Sequence, residues 1–452
     1  MPSIDYARLA ALHAREQETF VANHPQSAAL AEQARDVLLG GVPMNWMARW
    51  PGRFPIFAAG ANGAHITDVD GNTYIDLCLG DTGAMTGHAP PAAVAALTRQ
   101  GAKGTTMMLP TEDAVWVAQE LTRRFGLTRW QFTTSATDAN RFALRIARGL
   151  TGRRKVLVFN YCYHGTVDET LATLTDDGHV VPRAGHIGPQ VDPAETTVVV
   201  EFNDVAALEA ALATGEVVCV LAEPAMTNIG IIHPDPGYHD ALRRLTRETG
   251  TLLIIDETHT ICTGPGGYTA EYGLQPDILT IGKPLASGIP AAAYGLSTEL
   301  AARITGPATG DDCDVSGIGG TLAGNALTLA MMRATLAEIL TPEAYAHTVP
   351  LAKAWTDGVQ GVIDAHALPW SVTQLGARAE YWFLPERPRN GGIAAAGVDH
   401  KLDAFMHLYA LNRGILLTPF HNMALMSPAT TEADVDHHTE VFAHAVEELL
   451  GK

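Results

Sequence analysis

The chain has 452 residues, 47% of them hydrophobic, and a formal net charge of −19 at pH 7. This length supports a large core in more than one domain, and the acidic balance argues against nucleic acid or an anionic membrane as a partner, since both attract basic patches. Cys78, Cys162, Cys219, Cys262 and Cys313 lack CxxC spacing, which argues against a disulfide framework or structural zinc. With no apolar signal-peptide core and no run near the ~18 residues that span a bilayer, a cytoplasmic protein is expected.

Residues 6–39 alternate polar and apolar at helical spacing up to Gly40-Gly41, which predicts one or two amphipathic helices leading into an extended arm. His65 to Leu77 alternates around Asp70-Gly71, a hairpin with a tight turn. Asp68-Val-Asp70-Gly71 faintly resembles a calcium loop, but its glycine comes too early and the later ligand spacing is missing. The centre then alternates strand and helix. Val156–Asn160, Thr197–Glu201, Val217–Glu223, Leu252–Asp256 and Ile278–Ile281 are short, β-branched, nearly continuous apolar runs. Such strands are buried on both faces of a parallel sheet covered by helices, and helical segments such as 206–213 and 238–248 separate them. Ligands of such sheets bind at the carboxyl ends of the strands, where Glu223 and Asp256 stand. The expected organisation is an N-terminal helix and arm (1–60), a large domain (61–340) and a smaller α+β domain (341–452).

Lys283 ends the apolar run 277–283, with glycine before it and no other charge between Asp277 and Glu299. Burying an ammonium is expensive. Condensation with an aldehyde removes the charge, as at the Schiff-base lysine of a pyridoxal phosphate enzyme. Asp256 offers a strand-end carboxylate for a pyridinium nitrogen. A solvated lysine and a capping aspartate are the plain alternative that these two segments leave open. In 130–148, a strand-like start passes through Thr134-Ser135-Ala136-Thr137 into a strong helix, whose N-terminus suits a phosphate; alone it also reads as an ordinary Ser/Thr cap. Tyr161-Cys-Tyr163-His164-Gly165 follows a strand end, where an aromatic ring can stack on a pyridine.

In this order, Gly40-Gly41-Val42, Asp68 to Asp76, Gly87-His88-Ala-Pro, Ser135-Ala-Thr137, Tyr163-His164-Gly165, Ala222-Glu223-Pro224, Asp256-Glu257, Gly282-Lys283 and Gly319-Gly320-Thr321-Leu-Ala-Gly324-Asn325 resemble the class III aminotransferases. These are fold type I pyridoxal phosphate enzymes, and the likeness is greatest to the subgroup around glutamate-1-semialdehyde 2,1-aminomutase. The resemblance runs from about Gly40 to the C-terminus. It implies a mostly parallel, seven-stranded type of sheet covered by helices, pyridoxal 5′-phosphate as cofactor, and no metal. It assigns the Schiff base and proton shuttling to Lys283, the pyridine nitrogen to Asp256, and the phosphate to Ser135, Ala136 and Thr137. Tyr163 takes the ring face, Thr258 a position under the ring, and Glu223 the 3-hydroxyl region. Thr321 reaches the neighbouring subunit's cofactor, which makes the active site a property of a homodimer.

The departures concern chemistry. The usual Asn-Ser-Gly-Thr-Glu reads Thr134-Ser-Ala-Thr-Asp138, and Thr258-His259 stand where valine is common at the first position. His259 reads more simply as a satisfied supporting histidine than as a catalytic one. Arg49 falls where the subgroup binds a substrate carboxylate, with a surface arginine between Trp46 and Trp50 as the other reading. Trp46 and Met47 predict an apolar or aromatic pocket. The segment 175–185 and the loop 418–428 lack aminomutase features. The expected reaction is therefore transamination between an amino acid or amine and a keto acid, with a pyridoxal phosphate isomerase (aminomutase or racemase) as the alternative.

Overall fold

The computed structural model describes residues 4–304 and 317–452, and Cys313 lies outside the described residues. The chain divides by contact into two units. The larger comprises Pro91–Pro342 and Pro388–Ala396, and the other comprises residues up to Pro90, Glu343–Arg387 and Gly397–Lys452.

Seven strands form the sheet of the larger unit, in the spatial order Arg129–Thr133, Ala292–Leu296, Ile278–Ile281, Leu252–Asp256, Val217–Ala222, Lys155–Phe159, Thr197–Val200. All run parallel except Ala292–Leu296, which is antiparallel to both neighbours. Val217–Ala222 and Leu252–Asp256 are buried at every position, as their continuous apolar runs require of strands covered on both faces. Helix Ala136–Thr151 packs Ala139, Phe142, Ala143 and Ile146 into one cluster with Val156, Val218, Ile254 and Ile278. The expected mostly parallel sheet with helices is therefore the observed architecture. The antiparallel strand is an addition to that expectation. Its sequence, Ala-Ala-Tyr-Gly-Leu, has little β-propensity. Gly295 is required there because a Cβ would come within 2.7 Å of the Trp130 ring on the next strand.

A short return segment belongs to this unit. Asn203 Nδ2 donates to the carbonyl of Arg389 (2.8 Å), and the Gly392 amide donates to Glu201 Oε2 (3.3 Å). Residues 388–396 are thus held beyond the carboxyl ends of Lys155–Phe159 and Thr197–Val200.

The other unit holds the predicted hairpin. His65–Asp68 and Thr73–Asp76 pair antiparallel, and Asp68 Oδ1 accepts the amides of Asp70 (2.9 Å) and Asn72 (2.8 Å) across the turn. Ala58–Asn62 extends the sheet on one side, and Ile415–Leu416 adds a parallel strand to Thr73–Asp76 on the other. The hairpin thus shares a sheet with the C-terminal region, a pairing across more than 300 residues that local pattern does not reveal. Ser371–Leu375, Arg378–Trp382 and Met423–Leu425 form a second, antiparallel sheet. The N-terminal segment folds as two helices, Tyr6–Asn23 and Pro25–Arg35. Buried Glu16 on the first accepts from Asn412 Nδ2 (2.8 Å) and pairs with Arg413 (3.0 Å).

A Cβ at Gly391 would sit 2.1 Å from the carbonyl oxygen of Asn160. Gly391→Ala is therefore expected to displace the return segment and destabilise the larger unit by about 1–3 kcal/mol, the usual cost of overpacking, read in denaturant unfolding. Wild-type stability in this variant would contradict that packing.

Candidate active site

Two parallel neighbours set the geometry. Leu252–Asp256 and Ile278–Ile281 are in register with Asp256 opposite Thr280, and the Glu257 amide donates to the Thr280 carbonyl at 2.8 Å. The chain beyond each strand therefore leaves the sheet at the same level and side by side. Asp256 stands at the end of the first strand, and Lys283 opens a short 3₁₀ turn just after the second.

Asp256 is buried and well supplied with donors. Its Oδ2 lies 2.9 Å from His164 Nδ1 and accepts from Asn140 Nδ2 at 2.9 Å, while Oδ1 accepts the Thr258 amide at 3.1 Å. Asn140 is fixed in turn, donating to the His164 carbonyl (3.1 Å) and accepting from Thr280 Oγ1 (2.7 Å). Burial alone would raise the Asp256 pKa, but the His164 contact outweighs it and holds the carboxyl low, at about 2. Burial likewise pulls His164 down, and Cys162 and the Asp256 carboxylate overcome it, raising the imidazole to about 10. The pair is thus an imidazolium and a carboxylate, each unfavourable in this interior without the other.

Around this pair three buried polar atoms have no protein partner: His164 Nε2, Glu223 Oε1 and Thr258 Oγ1. Buried polar atoms are ordinarily bonded, so the arrangement suits a polar ligand. Burial pushes the Glu223 carboxyl up to about 7, and Thr227 Oγ1 donates to its other oxygen.

Ser135 caps helix Ala136–Thr151, its Oγ accepting from the Asp138 amide at 3.2 Å. Ser135 and Thr134 both donate to Asp138 Oδ2 at 3.0 Å. Thr137 Oγ1 accepts the Thr166 amide at 3.1 Å. Gly165, with φ +79°, lies so close that a Cβ would meet Thr137 Oγ1 at 2.1 Å. Gly282 presses on the same helix start, where a Cβ would meet Ala136 Cβ at 2.9 Å. Two glycines therefore bring the 163–165 loop and the Lys283 turn against the helix N-terminus.

Lys283 is half-buried and has φ +47°, a left-handed conformation rare for a residue with a side chain. Strain of this kind concentrates at functional sites. Its Nζ lies 2.7 Å from His259 Nε2.

The larger unit thus assembles Lys283, Asp256, Glu223, Thr258, Ser135, Ala136 and Thr137. Tyr163, half-buried, occupies the loop between Asn160 and Gly165. Thr321 is exposed in a turn of the same unit. Arg49 and Trp46 belong to the other unit, on the turn Asn45–Arg49. Arg49 is exposed, and Trp46 meets Phe420 edge-on with ring centroids 4.9 Å apart. Sequence reasoning assigned no role to His164 or Asn140. Asn140 was detectable as a polar residue on the buried face of an otherwise apolar helix.

The profile of the class-III aminotransferases matches residues 46–446. The chain belongs to that family. It is 32% identical over 416 residues to "Glutamate-1-semialdehyde 2,1-aminomutase" of Desulfitobacterium hafniense, covering 90% of this chain and 95% of that one. A solved glutamate-1-semialdehyde-aminomutase from Pseudomonas aeruginosa PAO1 shares 50% identity and a TM-score of 0.96 over 99% of both chains, and a variant of it was solved with PMP. An omega-transaminase from Sphaerobacter thermophilus shares 28% identity and a TM-score of 0.84, over 94% of this chain and 97% of that one. The fold is that of the fold type I enzymes. The expected cofactor, pyridoxal 5′-phosphate, is that of the family, and the orphaned buried atoms and the tight helix N-terminus fit it. Among the described residues no acidic, histidine or cysteine cluster is arranged for a metal, and no helix is long and apolar enough to cross a membrane.

The ion pair carries a pH signature. His164 is raised from 6.5 to about 10, so its contribution to stability is complete below pH 6.5 and is lost as pH climbs through about 10. Asp256 is lowered from 3.8 to about 2, so its contribution is present above 3.8 and disappears as pH falls towards 2. Asp256→Asn is expected to cost about 3–5 kcal/mol by leaving one charge unpaired, and to remove the alkaline part of this dependence. Thermal unfolding across pH checks both; an alkaline slope equal to wild type would contradict the pairing.

Proposed function

We propose that this chain moves an amino group with pyridoxal 5′-phosphate, and that the transfer stays within one substrate, in the manner of a glutamate-1-semialdehyde 2,1-aminomutase. The observation that carries this reading is the placement of Lys283 just beyond the strand paired with the one that ends in Asp256, in a chain half identical, end to end, to a solved aminomutase. The earlier expectation of transamination gives way on the choice of reaction, because the relative from Desulfitobacterium hafniense bears the aminomutase name and matches over nine-tenths of this chain.

When bound, the cofactor supplies an aldehyde that captures amines and a ring that stores the electrons left when a carbon loses its proton. Asp256 holds the ring nitrogen protonated, and its own carboxylate is kept ionised by His164. Ser135, Ala136 and Thr137 hold the phosphate at the start of their helix. Tyr163 and Thr258 would pack against the ring, and Glu223, with its unpaired oxygen, would lie near its polar edge. Lys283 Nζ anchors the cofactor when the site is free of substrate, and takes and returns the substrate's carbon-bound proton during turnover. Arg49 is assigned to a substrate carboxylate, which a guanidinium suits through a bidentate contact, and Trp46 to the substrate's apolar part. The assembly is a homodimer in which Thr321 serves the neighbouring site. Support for a partner comes from the run Met107-Met108-Leu109, whose last two residues are 78% and 72% exposed.

A second reading, transamination with a separate keto acid, is favoured by the segment 175–185, whose sequence lacks aminomutase features. Its end pairs as Val180–Pro182 with Ala172–Leu174 in a two-stranded hairpin. The two readings separate on purified, cofactor-loaded enzyme given glutamate-1-semialdehyde and no keto acid. The aminomutase reading expects sustained formation of the isomer with its amino group shifted to the adjacent carbon, and a loss of about 10³-fold or more in Lys283→Ala. Turnover that stalls until a keto acid is added would overturn it in favour of transamination. Mixed oligomers of Lys283→Ala and Thr321→Glu chains are expected to recover activity that neither shows alone; no recovery would remove Thr321 from the neighbouring site.

A further inference from the structure

His259 stands in a special relation to Lys283. Asp256 and Thr280 are register partners in the parallel pair, and each of the two residues lies three positions beyond its partner. The backbone that presents His259 is rigid. Glu257 carries it: its amide donates to the Thr280 carbonyl, and its carbonyl accepts the Ile261 amide at 3.0 Å. Its carboxylate accepts Thr260 Oγ1 and the amides of Tyr268 and Thr269. A Cβ at Gly267 would strike that carboxylate at 2.5 Å, so the loop 257–269 is closed tightly around it. On the other side, Gly282 is wedged on Ala136 and Lys283 is held at positive φ.

The 2.7 Å separation of His259 Nε2 and Lys283 Nζ fixes the proton inventory. An ammonium has only donors, and an imidazolium presents N–H at both nitrogens. Two such cations cannot share this contact. The pair therefore holds one bridging proton, in one of two forms: ammonium donating to neutral imidazole, or imidazolium Nε2–H donating to neutral amine. Among the neighbouring acids, Asp256 accepts from His164, Asn140 and the Thr258 amide, Glu257 from its own loop, and one oxygen of Glu223 from Thr227. From the loop after Lys155–Phe159, His164 faces Asp256.

We propose that His259 is the positioning residue that takes a proton from Lys283 Nζ, so that the lysine amine is neutral when it must capture the cofactor or act as a base. One proton leaves Nζ and arrives on Nε2, and the same proton returns along the same hydrogen bond. No other reactant is needed. This rests on the reading of Lys283 given above, and it assigns to His259 the task of keeping that lysine reactive.

The test separates the two claims. Pyridoxal 5′-phosphate is added to the cofactor-stripped full-length protein, and the rate at which visible absorbance develops is followed as a function of pH. His259→Gln keeps a hydrogen-bonding group but cannot take up a proton. It is expected to reach the wild-type amplitude about 10²-fold more slowly at neutral pH, with the acid limb of the rate profile moved to higher pH. The acid limb of kcat is expected to move the same way, with KM within about threefold of wild type. His259→Met, which fills the space without a hydrogen bond, is expected to show the same shift, and thermal melting checks that both variants fold. Capture rates and acid limbs equal to wild type in either folded variant would overturn the proposal while leaving Lys283 in place. If wild type itself develops no absorbance, or Lys283→Ala develops as much, the reading of Lys283 fails instead.

Discussion

The buried contact between Asp256 and His164 is the interaction on which the rest of the larger unit's chemistry depends. A carboxylate at the end of a fully buried strand would ordinarily take up a proton and become useless as a fixed negative charge. Here an imidazolium at 2.9 Å and two further hydrogen bonds keep it ionised. Both charges are drawn from different parts of the chain, and Asn140 ties them together from a third. The site is therefore an outcome of the completed sheet, since no local segment contains more than one of these groups. A charge held this way is already desolvated and oriented before any ligand arrives, the condition under which a single negative group is worth most to a reaction.

Close backbone approach is the second requirement. Gly165 and Gly282 both lie against the first turn of helix Ala136–Thr151. A side chain at either position would push a loop away from the helix N-terminus, and the lysine and the 163–165 loop would move with it. The positive φ of Lys283 belongs to the same economy of space. The residue precedes Pro284, which disfavours helical backbone, and the left-handed turn lets the chain reverse while its side chain stays beside the strand ends.

How much was legible in the sequence follows from these distances along the chain. Strands such as Leu252–Asp256 and Ile278–Ile281 were readable because burial on both faces leaves a nearly continuous apolar run. The strand Ala292–Leu296 was not, because its glycine answers to the ring of Trp130 and not to strand propensity. The hairpin at Asp70-Gly71 was readable from its turn, but its union with Ile415–Leu416 is a long-range pairing. Lys283 and Asp256 were found as strand-end residues and by family order. His164 was passed over because it looks ordinary among its sequence neighbours, and Asn140 was legible only from its place on the buried helix face.

His259 is the instructive case. Beside Thr258 it looked like a supporting histidine, and nothing in its immediate sequence distinguishes that role from a reactive one. The register of two parallel strands decides its neighbour: once Asp256 is opposite Thr280, residues equally far beyond them face each other. An imidazole placed at that position meets an amine whose usefulness depends on losing a proton. Asp256 is held by an imidazolium and Glu257 by backbone amides, and the imidazole lies 2.7 Å from the amine, in place to accept that proton. The same physical rule that puts the acid and the lysine side by side at the sheet's carboxyl edge therefore also selects the group that controls the lysine's charge.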